Sequence, residues 1–61
     1  MSADLDQQLR DVREQLNTLS RQVIAATEAA DEADRPDVVD ALSDAKLHLN
    51  DVAAVLADVI A

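Results

Sequence analysis

The sequence predicts an all-α fold, a two-helix antiparallel hairpin that dimerises into a four-helix bundle. Leu5, Leu9, Val12, Leu16, Leu19, Val23, Ala26, Ala30 and Ala33 recur at alternating steps of four and three, the 3.5-residue rhythm of packed helices. A second apolar pattern with the same period begins after the only proline, Pro36. A chain of 61 residues can bury only about 60% of its unfolded surface. With no cysteine to staple it, long helices and association are the stabilisers left.

The whole chain reads as one helical hairpin, residues 1–61. Ala, Leu, Val, Asp, Gln and Arg dominate, an alphabet that favours helix with almost no turn or strand punctuation, and there is no glycine, phenylalanine, tyrosine or tryptophan. The first helix is expected over about residues 3–32. Ser2 is a suitable N-cap, and Asp4 and Asp6 in the first turn oppose the positive end of the helix dipole. The acidic stretch Asp31, Glu32, Asp34, Arg35, Pro36 places a turn at about residues 32–35. Pro36 suits a first helical turn, and Asp34 can cap the new helix, which runs over about residues 36–60.

In the second helix Leu42, Leu49 and Leu56 repeat every seven residues. Val38, Ala45, Val52, Ala53, Val55, Val59 and Ile60 widen this stripe into an arc broad enough to touch two neighbouring helices. Folding about residue 34 sets Ala30 opposite Val38, Leu19 opposite Leu49, Leu16 opposite Val52 and Val12 opposite Leu56. The expected oligomer interface therefore comprises Leu5, Leu9, Val12, Leu16, Leu19, Val23, Leu42, Leu49, Val52, Leu56, Val59 and Ile60. Gln8, Gln15 and Gln22 repeat every seven residues along its border, where neutral groups avoid repulsion between identical acidic subunits. Ile24, Leu47 and Val55 are the apolar residues that a minimal two-helix seam accommodates least.

The formal net charge is −8, with both halves of the chain equally acidic. That balance disfavours nucleic acid and anionic membrane as partners of the whole molecule. No stretch is long enough to cross a bilayer, no leader pattern opens the chain, and a cytoplasmic protein is expected. Catalysis is not expected. Ser43 and His48 project from different faces of their helix, there is no thiol, and nothing supplies a walled pocket. Asp44, His48 and Asp51 share a surface but offer too few ligands for a metal, so neither metal nor cofactor is predicted. Arg10, Arg13, Asn17 and Arg21 form a locally basic strip on the first helix, a candidate for binding phosphates or an acidic protein.

After an acidic turn, Asp37, Val38, Val39, Asp40, Ala41, Leu42, Ser43, Asp44 and Ala45 resemble the start of the second helix in the Rop family. Its members are small RNA-binding hairpins that dimerise into four-helix bundles. The resemblance implies that architecture. The family's RNA face uses lysines and a phenylalanine on the first helix, and this chain has neither there, so no functional residue is carried over. The expected function is a non-enzymatic oligomerisation or protein-binding module, with itself as first partner and another protein as a further one. The rivals are a nucleic-acid-binding regulator using the arginine strip and an acidic decoy that occupies a basic nucleic-acid-binding protein.

Overall fold

Two long helices lie side by side in the computed structural model, which describes residues 3–60. Helix α1 spans Ala3–Glu32 and helix α2 spans Pro36–Ile60. Thirty residues at 1.5 Å each make a rod of about 45 Å, and the hairpin measures 48 × 15 × 12 Å. Its radius of gyration is 14.4 Å, against about 10.5 Å for a compact chain of this length. The molecule is thus a single layer of two rods. Ser2, the expected N-cap, lies outside the described residues, as does Met1.

The turn is built differently from the sequence expectation. Asp34 stands in the left-handed region at φ 57°. Around it Asp34 N–H donates to the Asp31 carbonyl at 3.1 Å and Arg35 N–H to the Ala30 carbonyl at 2.9 Å. These two bonds are the Schellman closure of a helix C-terminus, with Asp34 at the position glycine usually takes. The chain has no glycine, and aspartate is among the residues that best tolerate this backbone region. Asp34 therefore closes α1 and does not cap α2. The capping position of α2 belongs to Arg35, whose carbonyl accepts from the N–H groups of Val38 and Val39, both at 3.1 Å. Pro36 follows at the first helical position, where its missing donor costs nothing.

The seam between the rods is thin. Among the described residues only Ala30, 8% exposed, is buried. Leu9, Leu16, Val23 and Ala30, seven residues apart, face α2 and are half-buried or buried. The row beside them, Asp6, Arg13, Ser20 and Thr27, is polar, yet Asp6, Ser20 and Thr27 are half-buried as well. Thr27 satisfies its hydroxyl within its own helix by donating to the Val23 carbonyl at 2.7 Å. From α2 the seam takes Val38, Val39, Leu42, Ala45, Leu49, Ala53, Leu56 and Ile60.

Candidate functional site

The first-helix stripe that reads as one seam is divided in the structure. Its Leu9, Leu16, Val23, Ala30 row packs on α2, whereas Leu5, Val12, Leu19, Ala26 and Ala33 stay exposed. Val12 is therefore not covered by Leu56, and Val52, expected opposite Leu16, is also exposed. The reason is geometric. One antiparallel neighbour covers only part of a 3.5-residue stripe, and the covered side here is the one carrying Ser20 and Thr27. Eight large apolar side chains are 40–68% exposed: Leu5, Val12, Leu19, Ile24, Leu47, Val52, Val55 and Val59.

Most of these lie on one broad face of the hairpin. A shallow groove is lined by Ile24, Thr27 and Glu28 from α1 and by Ser43 and Lys46 from α2, so those residues mark one side of the seam. On α1 the row Leu5, Val12, Leu19, Ala26, Ala33 runs along the other side of Leu9, Leu16 and Val23 from Thr27. On α2 the row Val38, Ala45, Val52, Val59 likewise runs along the other side of Leu42, Leu49 and Leu56 from Lys46. The two rows thus share one face, and Val55 stands beside them. Part of it is a wholly apolar groove along α2, formed by Val52, Val55, Leu56 and Val59 with Asp51 at its edge. Along α1 the neighbouring groove is more polar, with Gln15, Thr18 and Gln22 around Leu19.

The arginine strip lies mainly on the Ile24 side of the seam. Arg10 and Asn17 precede Ile24 at seven-residue steps, which puts them on the side of α1 that Ile24 shares with Lys46. Arg10 lies by Asp6, Leu9, Val59 and Ile60, where the end of α2 returns to the start of α1. Arg21 reaches Thr18 Oγ1 at 3.4 Å, a long contact on an exposed surface. Lys46 of α2 lies on the same side of the seam as Arg10, Asn17 and Ile24, a placement that sequence spacing on one helix does not reveal, while Arg10 borders Val59 and Arg21 touches Thr18 at the edge of the Leu19 groove, so the strip adjoins the apolar face at both places.

Ionic order in the hairpin centres on the turn. Arg35 Nε donates to Asp37 Oδ1 at 3.1 Å and Arg35 Nη2 to Asp37 Oδ2 at 3.0 Å, a two-pronged pair in full solvent. The pairing holds the Asp37 carboxyl below its ordinary range, helped by the N–H groups of Val38 and of Asp37 itself, and raises the Arg35 guanidinium. Both groups are exposed, so the pair organises the first turn of α2 more than it stabilises the fold. Among the described residues no three His, Asp or Glu side chains form a group that could hold a metal ion, and Asp44, His48 and Asp51 remain a solvated edge. Among the described residues no helix is long and apolar enough to cross a membrane.

Comparison with protein-family models, with curated proteins and with solved structures finds no match. What the chain does is accordingly argued from its own surface.

Proposed function

We propose that this hairpin is a non-enzymatic association module whose working surface is the apolar face made by Leu5, Val12 and Leu19 of α1 with Val52, Val55 and Val59 of α2. One observation carries the reading: these six side chains are exposed together, while among the described residues a single alanine is buried. Removing large apolar side chains from water is the main force available to a folded chain, at about 25 cal/mol per Å². Here most of that surface still awaits a cover. The first partner is a second copy of the chain, giving the Rop-type dimeric four-helix bundle.

Sedimentation equilibrium tests this directly. The unmodified chain is expected to give twice the monomer mass at micromolar concentration, and Leu19→Gln with Val55→Gln to give a monomer. A unit mass for the unmodified chain at all concentrations would remove the reading.

The rival nucleic-acid reading draws on Arg10, Arg13, Asn17 and Arg21. What favours it is that Arg10 and Asn17 lie on the side of the seam that Ile24 shares with Lys46, away from Leu5, Val12 and Leu19. The acidic background, at −8, and the absence of aromatic residues for base stacking weigh against it.

A further inference from the structure

Resting on the reading of the apolar face as an association surface, we infer that its further occupant is a basic amphipathic helix of another protein. That helix lays its apolar stripe on Val52, Val55 and Val59 of α2 and sets its lysines or arginines against Asp44, Asp51 and Asp58. The apolar half of the argument is the groove itself. Val52, Val55 and Val59 are 49%, 68% and 56% exposed, and with Leu56 they line a shallow trough along α2 whose remaining member is Asp51. Apolar anchors at steps of three and four residues beside an open trough make the seat that a second helix takes.

The charged half is a ladder. Asp37, Asp44, Asp51 and Asp58 recur every seven residues, each immediately before a member of the row Val38, Ala45, Val52, Val59. The ladder therefore runs along the outer margin of the groove, and Asp44, Asp51 and Asp58 are exposed there. Its rungs are about 10.5 Å apart, seven residues at about 1.5 Å each. Lysines or arginines at seven-residue steps on a partner helix have the same spacing, so one register meets all three carboxylates.

The hairpin supplies no cation to these rungs. Among the described residues the one ion pair joins Arg35 to Asp37, which occupies the first rung. The other cations lie elsewhere. Arg10 and Lys46 are on the Ile24 side of the seam, Arg13 shares the row of Ser20 and Thr27, and Arg21 reaches Thr18 on α1. A second copy brings the same deficit. It covers the apolar side chains, but its own grooves are edged by Asp11, Glu14 and Asp51, so carboxylates border carboxylates. A basic helix buries the same apolar side chains and neutralises the ladder as well, and the net charge of −8 steers it in. Because it uses Val52, Val55 and Val59, it competes with the second copy for the face.

Synthetic helices test this. The probe is a labelled peptide of about three heptads with leucine at the core positions and lysine at the flanking ones. One control carries glutamate in place of lysine, and another has the same residues scrambled so that the stripe is lost. Fluorescence anisotropy at low salt should show the lysine helix binding at least about tenfold more tightly than either control, and sedimentation should show it displacing the second copy. Asp44→Asn, Asp51→Asn and Asp58→Asn together should weaken binding about tenfold, the worth of three exposed pairs, while the variant alone sediments as the unmodified chain does. Equal binding of the lysine helix and its scrambled form overturns the inference, as does unchanged affinity of the triple variant or a peptide bound to an intact dimer. A dimer that no peptide enters also overturns it and leaves self-association standing. A monomeric chain that binds the lysine helix through the ladder upholds the inference and removes only the second copy.

Discussion

The backbone N–H of Arg35 reaches over Asp34 to the carbonyl of Ala30 at 2.9 Å, and this bond closes the first helix on the only residue of the seam that is buried. It requires Asp34 to hold φ 57°. A left-handed backbone costs a residue with a Cβ about 1–2 kcal/mol, least for Asp and Asn and most for β-branched residues. Asp34→Val should therefore destabilise the hairpin by about 1–2 kcal/mol, and Asp34→Gly should be neutral or mildly stabilising. Chemical denaturation at one fixed protein concentration reads both, and equal stability of the Val variant would mean the turn can close another way.

The Arg35 and Asp37 pair makes a prediction about pH. The Asp37 carboxyl titrates below its unfolded value, so its contribution is present above the ordinary carboxylate range of about 4 and disappears as pH falls through the lower folded value. Arg35 is raised, and its matching loss lies at strongly alkaline pH. Because both side chains are exposed, the effect on folding is small. The carboxyl carbon of Asp37, followed by NMR, should titrate below the ordinary carboxylate range, and Arg35→Gln should return it toward that range. An unshifted Asp37 would show that the pair does not persist in solution.

Seam and surface should respond differently to truncation. Leu49 is half-buried in the hairpin and Asp58 is exposed on α2. Leu49→Ala is expected to cost on the order of 2–5 kcal/mol in the assembled bundle, and Asp58→Ala less than about 0.5 kcal/mol. An intact, equally stable dimer of Leu49→Ala would contradict the packing.

Much of this fold was legible because its signals are local. Pro36 and the acidic run before it mark the break between two helices, and no glycine competes for it. The 3.5-residue rhythm gave the faces, and Ile24, Leu47 and Val55 are exposed, as their angles on the wheel suggest. Two features were not legible. The role of Asp34 depends on a backbone angle, and its residue type suits a helix start and a helix end equally well. The division between the Leu9 row and the Leu5 row depends on the rotation of α1 about its own axis. That rotation is set by packing on α2, and a stripe this wide permits more than one value. The companionship of Lys46 with the α1 strip has the same origin, since it needs the pairing of two helices.

The arginine strip should be dispensable for assembly. Replacing Arg10, Arg13 and Arg21 together by Ala leaves every large apolar side chain of the face in place, so sedimentation should give the unmodified mass. Titration of the unmodified chain with structured RNA at low and raised salt tests the rival reading. Binding that weakens steeply with salt and vanishes in the triple variant would establish it.

The central claim is that folding and association are one event, because a lone hairpin buries a single alanine among the described residues. Helical content measured by circular dichroism from micromolar to nanomolar protein tests it most directly. The account predicts that helix signal and solution mass fall together on dilution, with a melting temperature that drops as concentration drops. A monomer at nanomolar concentration that keeps its full helical signal and an unchanged melting temperature would contradict it.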